Sequence, residues 1–241
     1  MASDRAARVW AWIVAAHEGD GPVSLGALCR AAVGRLGVDG ASVTASGGPA
    51  AREPLSATGE LTAQLEELLF TTGEGPGGED FRFGSPMLIP DLQSVAARWP
   101  GFAPVAVRAG ARAVFAFPLQ VGAIRVGVLL LYRAVPGALT PEELADVLAF
   151  ADIALQMVLD AAAGISDSLE HRLLDGLSDG RAEVYQATGM ISVQLGVSLE
   201  EAFVRLRARA FADGAALGEV AGDVVGRKLR FYPDAESGPP P

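Results

Sequence analysis

Cysteine is nearly absent from this chain of 241 residues: Cys29 stands alone. One cysteine closes no disulfide within the chain and builds no thiolate zinc site. That scarcity fits a reducing compartment, and the expected location is the cytoplasm. Histidine is almost as rare, with only His17 and His171, so a histidine-rich metal motif is excluded. Long hydrophobic runs are missing too. The run at residues 126–131 falls far short of the ~20 residues that a helix needs to span a bilayer. The apolar stretch 10–16 is too short for the core of a secretory signal. No membrane is expected as a partner. Lysine occurs once against 18 arginines. With the abundance of Ala, Gly and Pro, that bias reflects a GC-rich genome more than any task for arginine.

Catalytic groups are scarce in the same way. An enzyme should bring a nucleophile, an acid and a base together. His17 ends the first helix and His171 falls in a linker, and both read as exposed helix residues. Glycines 73–78 are not followed by Lys-Ser/Thr, so no phosphate-binding loop is present. Cys29 sits mid-helix beside Leu28 and Ala32, which favours a buried small hydrophobe over a chromophore attachment or redox sensor. No catalytic residue, metal or cofactor is expected.

Half of the residues are hydrophobic, which on size grounds supports a substantial core. The formal net charge of −10 argues against nucleic-acid binding through the whole surface. The charge is unevenly placed. Residues 1–180 carry 12 Arg against 21 acidic residues, whereas residues 181–232 carry seven basic against six acidic. The C-terminal region alone could meet a phosphate backbone without strong repulsion.

Helical spacing marks residues 5–16, through Ala6, Val9, Ile13 and Ala16. Ser24 caps a second helix with Leu25, Leu28, Ala32 and Leu36 inward, and Gly37 stops it. Residues 38–46 read as a strand broken by Gly47, Gly48 and Pro49. Residues 55–57 and 87–89 read as short strands, 60–70 as a helix, 72–84 as a glycine-rich loop, and 97–109 as a turn followed by a helix. The clearest strands are 113–121 and 124–132, joined at Gly122-Ala123 by a tight hairpin. Both are apolar on both faces, so helices should cover the sheet on each side.

Thr140, Pro141 and Glu143 form a strong helix start, with a capping box and proline at the first helical position. The helix runs to about residue 163. Leu144, Leu148, Ala151, Leu155, Val158, Ala162, Ile165 and Leu169 are spaced alternately four and three apart, an a/d heptad seam. Two readings remain: the helix packs on its own sheet, or Leu144, Leu148, Leu155 and Val158 line a dimer seam that continues into the linker.

Residues 181–195 form a helix with Val184, Ala187, Thr188, Ile191 and Leu195 on one stripe; Met190 and Val193 lie off it. Gly196 ends it, and Ser198 with Glu201 caps the next. Leu199, Ala202, Phe203, Leu206 and Ala210 give that second helix an apolar face, and Gly214 closes it. Leu217, Val220, Ala221 and Val224 build a third helix reaching about residue 228. Arg205 and Arg209 share one flank of the second helix and Arg207 the other. Arg227, Lys228 and Arg230 cluster after the third. That cluster is either favoured charge at a helix end or a phosphate contact by guanidinium groups.

From Tyr185-Gln186-Ala187-Thr188-Gly189-Met190-Ile191, through Gln194-Leu195-Gly196-Val197-Ser198, Glu201-Ala202-Phe203 and Leu206-Arg207, to Ala210, Leu217, Val220-Ala221 and Val224-Val225, the sequence resembles the ANTAR family of transcription antitermination regulators. The resemblance implies an all-helical module that acts as a homodimer and binds stem-loop RNA, favouring an antiterminator over a terminator hairpin. The family usually has lysine where Thr188 stands. Candidate RNA-binding residues are Gln186, Thr188, Gln194, Arg205, Arg207, Arg209, Arg227, Lys228 and Arg230. Over residues 8–160 the chain also resembles GAF domains, on Leu36-Gly37-Val38-Asp39-Gly40-Ala41-Ser42, Pro90-Asp91, Trp99-Pro100, Phe117-Pro118-Leu119, Gly122 and Gly127-Val128-Leu129. That implies a central antiparallel sheet with helices and a site for a small-molecule ligand. Asp91 and Arg108 could orient such a ligand; surface or capping roles fit them better.

The expected class is α+β: a GAF-like sensor domain at 1–162, a helical linker at 163–180, a three-helix ANTAR-like domain at 181–232, and a disordered tail at 233–241. Two other functions stay open. A DNA-binding regulator would need a reading helix, and Glu219 and Asp223 on the third helix argue against one. A sensor or scaffold without nucleic acid is compatible with the near-neutral C-terminal charge and with Thr188.

Overall fold

The computed structural model describes residues 2–48, 51–76, 84–162 and 179–232. The chain divides into two compact units, one from residues 1–48 and 52–176 and one chiefly from Leu177 onward.

The first unit is built on the hairpin expected from the sequence. Strands β4 (Ala113–Val121) and β5 (Ile124–Arg133) pair antiparallel from Ala113↔Arg133 to Val121↔Ile124. The two-residue turn between them needs a left-handed residue, and Gly122 supplies it at φ +59°. Strand β1 (Gly40–Gly48) pairs with β5, and the short β3 (Met87–Ile89) with β4. Strand β2 (Ala51–Ala57) takes the other edge, giving the order β2-β1-β5-β4-β3. Pro54 within β2 is tolerated because an edge strand leaves one side of its ladder unpaired.

Alternation along the strands sends side chains to two separate cores. Phe115, Phe117, Leu119, Leu129 and Leu131 meet α1 (Ala2–Ala15), α2 (Leu25–Arg35) and α5 (Pro141–Ala162). Val114, Ala116, Val128, Leu130 and Tyr132 join Leu65 and Leu69 of α3 (Gly59–Thr72) and Phe102, Ala103 and Ala106 around α4 (Ala103–Ala109). The expected cover on both faces is present. Sequence reading missed a 3₁₀ turn, Leu92–Val95, whose start is capped by the Asp91 carboxylate.

Polar clamps fix the helices. Ser24 accepts from Ala27 N–H to cap α2. Thr140 and Glu143 form the expected reciprocal capping box on α5. Arg133, buried at the end of β5, donates to the carbonyls of Leu36, Gly37 and Ala138 and to Glu143 Oε1 at 2.7 Å. Burial would raise the Glu143 pKa, but hydrogen bonds from Thr140 and the Arg133 charge outweigh it and hold the carboxyl below its ordinary value. Asp146 on α5 accepts from both Arg5 and Arg8 of α1.

On α5 the buried stripe is Val147, Phe150, Ala151, Ala154, Val158 and Ala161. The heptad reading is corrected in part: Ala151 and Val158 belong to the domain's own core, so Val158 is not a free seam position. Leu144 and Leu155 pack against that core half-buried, and Leu148 is 44% exposed. Ile165 and Leu169 lie outside the described residues, as do most of the 163–180 linker and the tail.

Among the described residues the second unit has three helices: α6 (Asp179–Leu195), α7 (Leu199–Asp213) and α8 (Leu217–Val225). Ser198 accepts from Glu201 N–H at 3.1 Å, and Gly196 and Gly214 take the left-handed conformation that ends α6 and α7. Val184, Ala187, Ile191, Ala202, Phe203, Leu206, Ala210, Leu217, Val220, Ala221 and Val224 are all buried in the shared core. Leu199, expected inward, is 57% exposed.

Candidate nucleic-acid interface

The nine candidate contact residues separate once their surroundings are known. Thr188 is 3% exposed, and its hydroxyl donates to Val184 O, one turn back, at 2.7 Å. A buried side chain with its one donor engaged reaches no phosphate, so Thr188 is withdrawn as a contact. Thr188→Val keeps the shape and removes the hydroxyl. It is expected to leave affinity for RNA unchanged within about two-fold, since the position carries no contact to lose; a filter-binding titration checks this.

Gln194 is half-buried, and its Oε1 accepts from Phe231 N–H at 2.9 Å. It ties the segment after α8 to α6. Gln186 is exposed on the outer side of α6.

The arginines of α7 are already engaged. Arg205 pairs with Glu201 at 2.9 Å and Arg209 with Asp213 at 2.6 Å, each one helical turn away. Arg207 lies over the Phe203 ring at 4.0 Å. Exposed pairs of this kind are worth about 0–1 kcal/mol, so a phosphate can displace the carboxylate, though with less gain than at a free cation.

After α8 the balance differs. Lys228 is 3.4 Å from Asp223, with both side chains largely in solvent. Arg227 and Arg230 are exposed and have no side-chain partner among the described residues. The third helix stops at Val225, short of the expected residue 228, because Arg227 turns left-handed at φ +59°. Sequence reading also missed two exposed aromatics, Phe211 at 86% and Tyr232 at 73%. Phe211 lies off the apolar stripe of α7, and that was the available signal.

In the first unit, the sheet face under α3 and α4 is filled by Leu65, Leu69, Trp99 and Phe102. Polar groups gather at its β1 side. Ser42 donates to Glu66 Oε1 at 2.7 Å, Arg52 stands 3.9 Å from Glu66 Oε2, and Thr44 Oγ1 is buried without a hydrogen-bond partner among the described residues. Surface grooves of about 250 and 290 Å³ flank α4. Asp91 caps the 3₁₀ turn and pairs with Arg112 at 3.3 Å, and Arg108 is exposed, so both have the capping or surface roles favoured by sequence. Cys29 is fully buried, and burial pushes its thiol up to about 12, leaving it protonated and unreactive near neutral pH. Among the described residues there is no group of three or more His, Cys, Asp or Glu able to hold a metal, and no helix is long and apolar enough to cross a membrane.

Comparisons with known proteins follow this division. The GAF domain family matches residues 23–157 and the ANTAR domain family residues 176–225. No curated protein matches the chain. Among solved structures, the GAF domain of a phosphoenolpyruvate-protein phosphotransferase from Coxiella burnetii is 16% identical, with a TM-score of 0.51, and the match covers 68% of this chain and 96% of that one. A GAF domain of the same kind of enzyme from Acinetobacter is 14% identical over 68% and 96% of the two chains, with a TM-score of 0.48. At 16% identity the first of these likenesses shows the fold alone. With more than half of its length matched, the chain belongs to the GAF-domain family, here in the GAF-ANTAR architecture.

Proposed function

We propose that the chain is a signal-responsive transcription antitermination regulator. As a homodimer it binds stem-loops in nascent transcripts, under the control of its GAF domain. GAF domains are sensor domains and ANTAR domains bind RNA, so their union makes an RNA-binding regulator rather than an enzyme. One observation carries the reading: the ANTAR match covers residues 176–225, and residues 181–232, which hold most of it and run on through Arg227, Lys228 and Arg230, carry seven basic residues against six acidic in a chain of net charge −10. A small-molecule input fits the GAF domain, whose interior offers the Ser42–Glu66 pair and the unpartnered Thr44 hydroxyl. Such a ligand changes the output only if it binds one dimer arrangement better than the other.

Single-round transcription through a hairpin terminator tests the reading. Added protein is expected to raise read-through, and stem-loop RNA to compete for it where duplex DNA does not. Equal competition by duplex DNA would favour a DNA-binding regulator. No effect with either would favour a sensor or scaffold.

The dimer has its own test. Leu148, exposed on α5, is the seam position free of the domain core. Leu148→Glu is expected to weaken self-association about ten-fold or more, the scale of one leucine removed from an apolar contact. Its effect on unfolding should stay within about 0.5 kcal/mol, as for other surface changes. Sedimentation equilibrium reads the first, and an unchanged association constant would remove α5 from the seam.

A further inference from the structure

We infer that residues 227–232, beyond the end of the ANTAR match at Val225, form an RNA-contacting clamp in which Tyr232 stacks on an unpaired base while Arg227 and Arg230 take the flanking phosphates. The inference rests on the RNA-binding reading and locates its contact.

Three observations converge on this segment. The first is the distribution of free charge. Of the cations on α7, Arg205 and Arg209 hold carboxylates and Arg207 covers a ring. Arg227 and Arg230 hold nothing among the described residues, and Lys228 has only a solvent-exposed partner. An approaching phosphate therefore meets its least-engaged donors here, and guanidinium groups match phosphate oxygens in two-point geometry.

The second is the backbone. Arg227 occupies the left-handed position that ends α8, where glycine is the usual residue. Lys228 N–H and Leu229 N–H both donate to Asp223 O, at 2.8 and 3.0 Å, closing the turn around it. A long charged side chain held in that conformation at a helix end is a candidate for function.

The third is an exposed aromatic in the same short segment, two residues after Arg230. Tyr232 is 73% exposed, whereas its neighbour Phe231 is half-buried, with its N–H held by Gln194 at 2.9 Å. Gln194 and Phe231 thus anchor the segment on α6 and leave the Tyr232 ring open to solvent. Sequence-tolerant recognition of unpaired bases uses this combination: an aromatic face beside phosphate-binding cations. Gln194 is here a positioning residue.

The test uses the full chain and a pool of stem-loop RNAs with randomised loops, beside a fully paired duplex RNA pool, at two salt concentrations. Tyr232→Leu is expected to weaken stem-loop binding roughly five- to hundred-fold, the range of a lost base–aromatic stack, and to leave duplex binding unchanged. Arg227→Gly keeps the left-handed turn and removes the guanidinium. It should lower the slope of log affinity against log salt by about one while unfolding at the same or higher temperature. Gln194→Leu should weaken binding with the salt slope kept. Stem-loop binding by the native chain that none of these changes alters would overturn the clamp and leave the RNA-binding reading standing. Absence of stem-loop binding by the native chain would overturn both.

Discussion

Arg133→Ala is expected to destabilise the GAF domain by about 3–5 kcal/mol, the loss that follows when one partner of a buried, hydrogen-bonded ion pair is removed. The side chain is 11% exposed and holds three carbonyls and a carboxylate from two other parts of the chain. Its guanidinium also lies over the Phe115 ring, at 5.6 Å. Alanine would leave Leu36 O, Gly37 O and Ala138 O unsatisfied and Glu143 without its cation, and each buried orphan costs about 1–3 kcal/mol. Arg133→Lys keeps the charge but not the planar fork, so an intermediate loss is expected. Urea unfolding of the full chain, followed by the fluorescence of the first unit's tryptophans, measures both. A loss below about 1 kcal/mol for alanine would show that water replaces the clamp. The position ties the end of α2 and the start of α5 to the sheet, and α5 precedes the ANTAR unit in the chain.

Phe150→Ala is expected to cost a similar amount, about 3–5 kcal/mol, by opening a cavity. Phe150 is fully buried on α5 and stacks on Trp12 of α1, with ring centroids 6.4 Å apart. Helix α1 packs on α2 and α5, so loss of the ring should also loosen α1. Increased quenching of Trp12 by acrylamide before global unfolding would report that loosening. Phe150→Leu should recover more than half of the loss, because a leucine fills most of the space. Equal losses for alanine and leucine would point to the aromatic stack rather than to volume.

Much of this architecture is legible in the sequence, and the exceptions have physical causes. The β4–β5 hairpin is read correctly because a two-residue turn with glycine leaves few alternatives. Strand β2 is read three residues long and spans Ala51–Ala57, since Arg52, Glu53 and Pro54 carry no strand signal of their own and are held at the edge by β1. The α5 stripe is read off by part of a turn. Leu144, Leu148 and Leu155 lie on one side, Val147, Phe150 and Ala154 on the other, and a helix apolar over so wide an arc fits two registers equally. Burial against the sheet chooses between them, and spacing cannot. In the ANTAR domain the pairing of Arg205 with Glu201 and of Arg209 with Asp213 is readable from their spacing of four. Thr188 already lies on the apolar stripe, which foretells its burial. The Gln194–Phe231 contact joins residues 37 apart and follows only from how α8 returns to α6. No local pattern encodes it.

Binding of this chain to a pool of stem-loop RNAs at two salt concentrations, with cross-linking to locate the contact, tests the central claim most directly. The account predicts stem-loop binding that weakens as salt rises, because phosphate contacts release counterions, with cross-links confined to residues 181–232. Salt-independent binding, cross-links on the GAF domain, or no binding at all would contradict it.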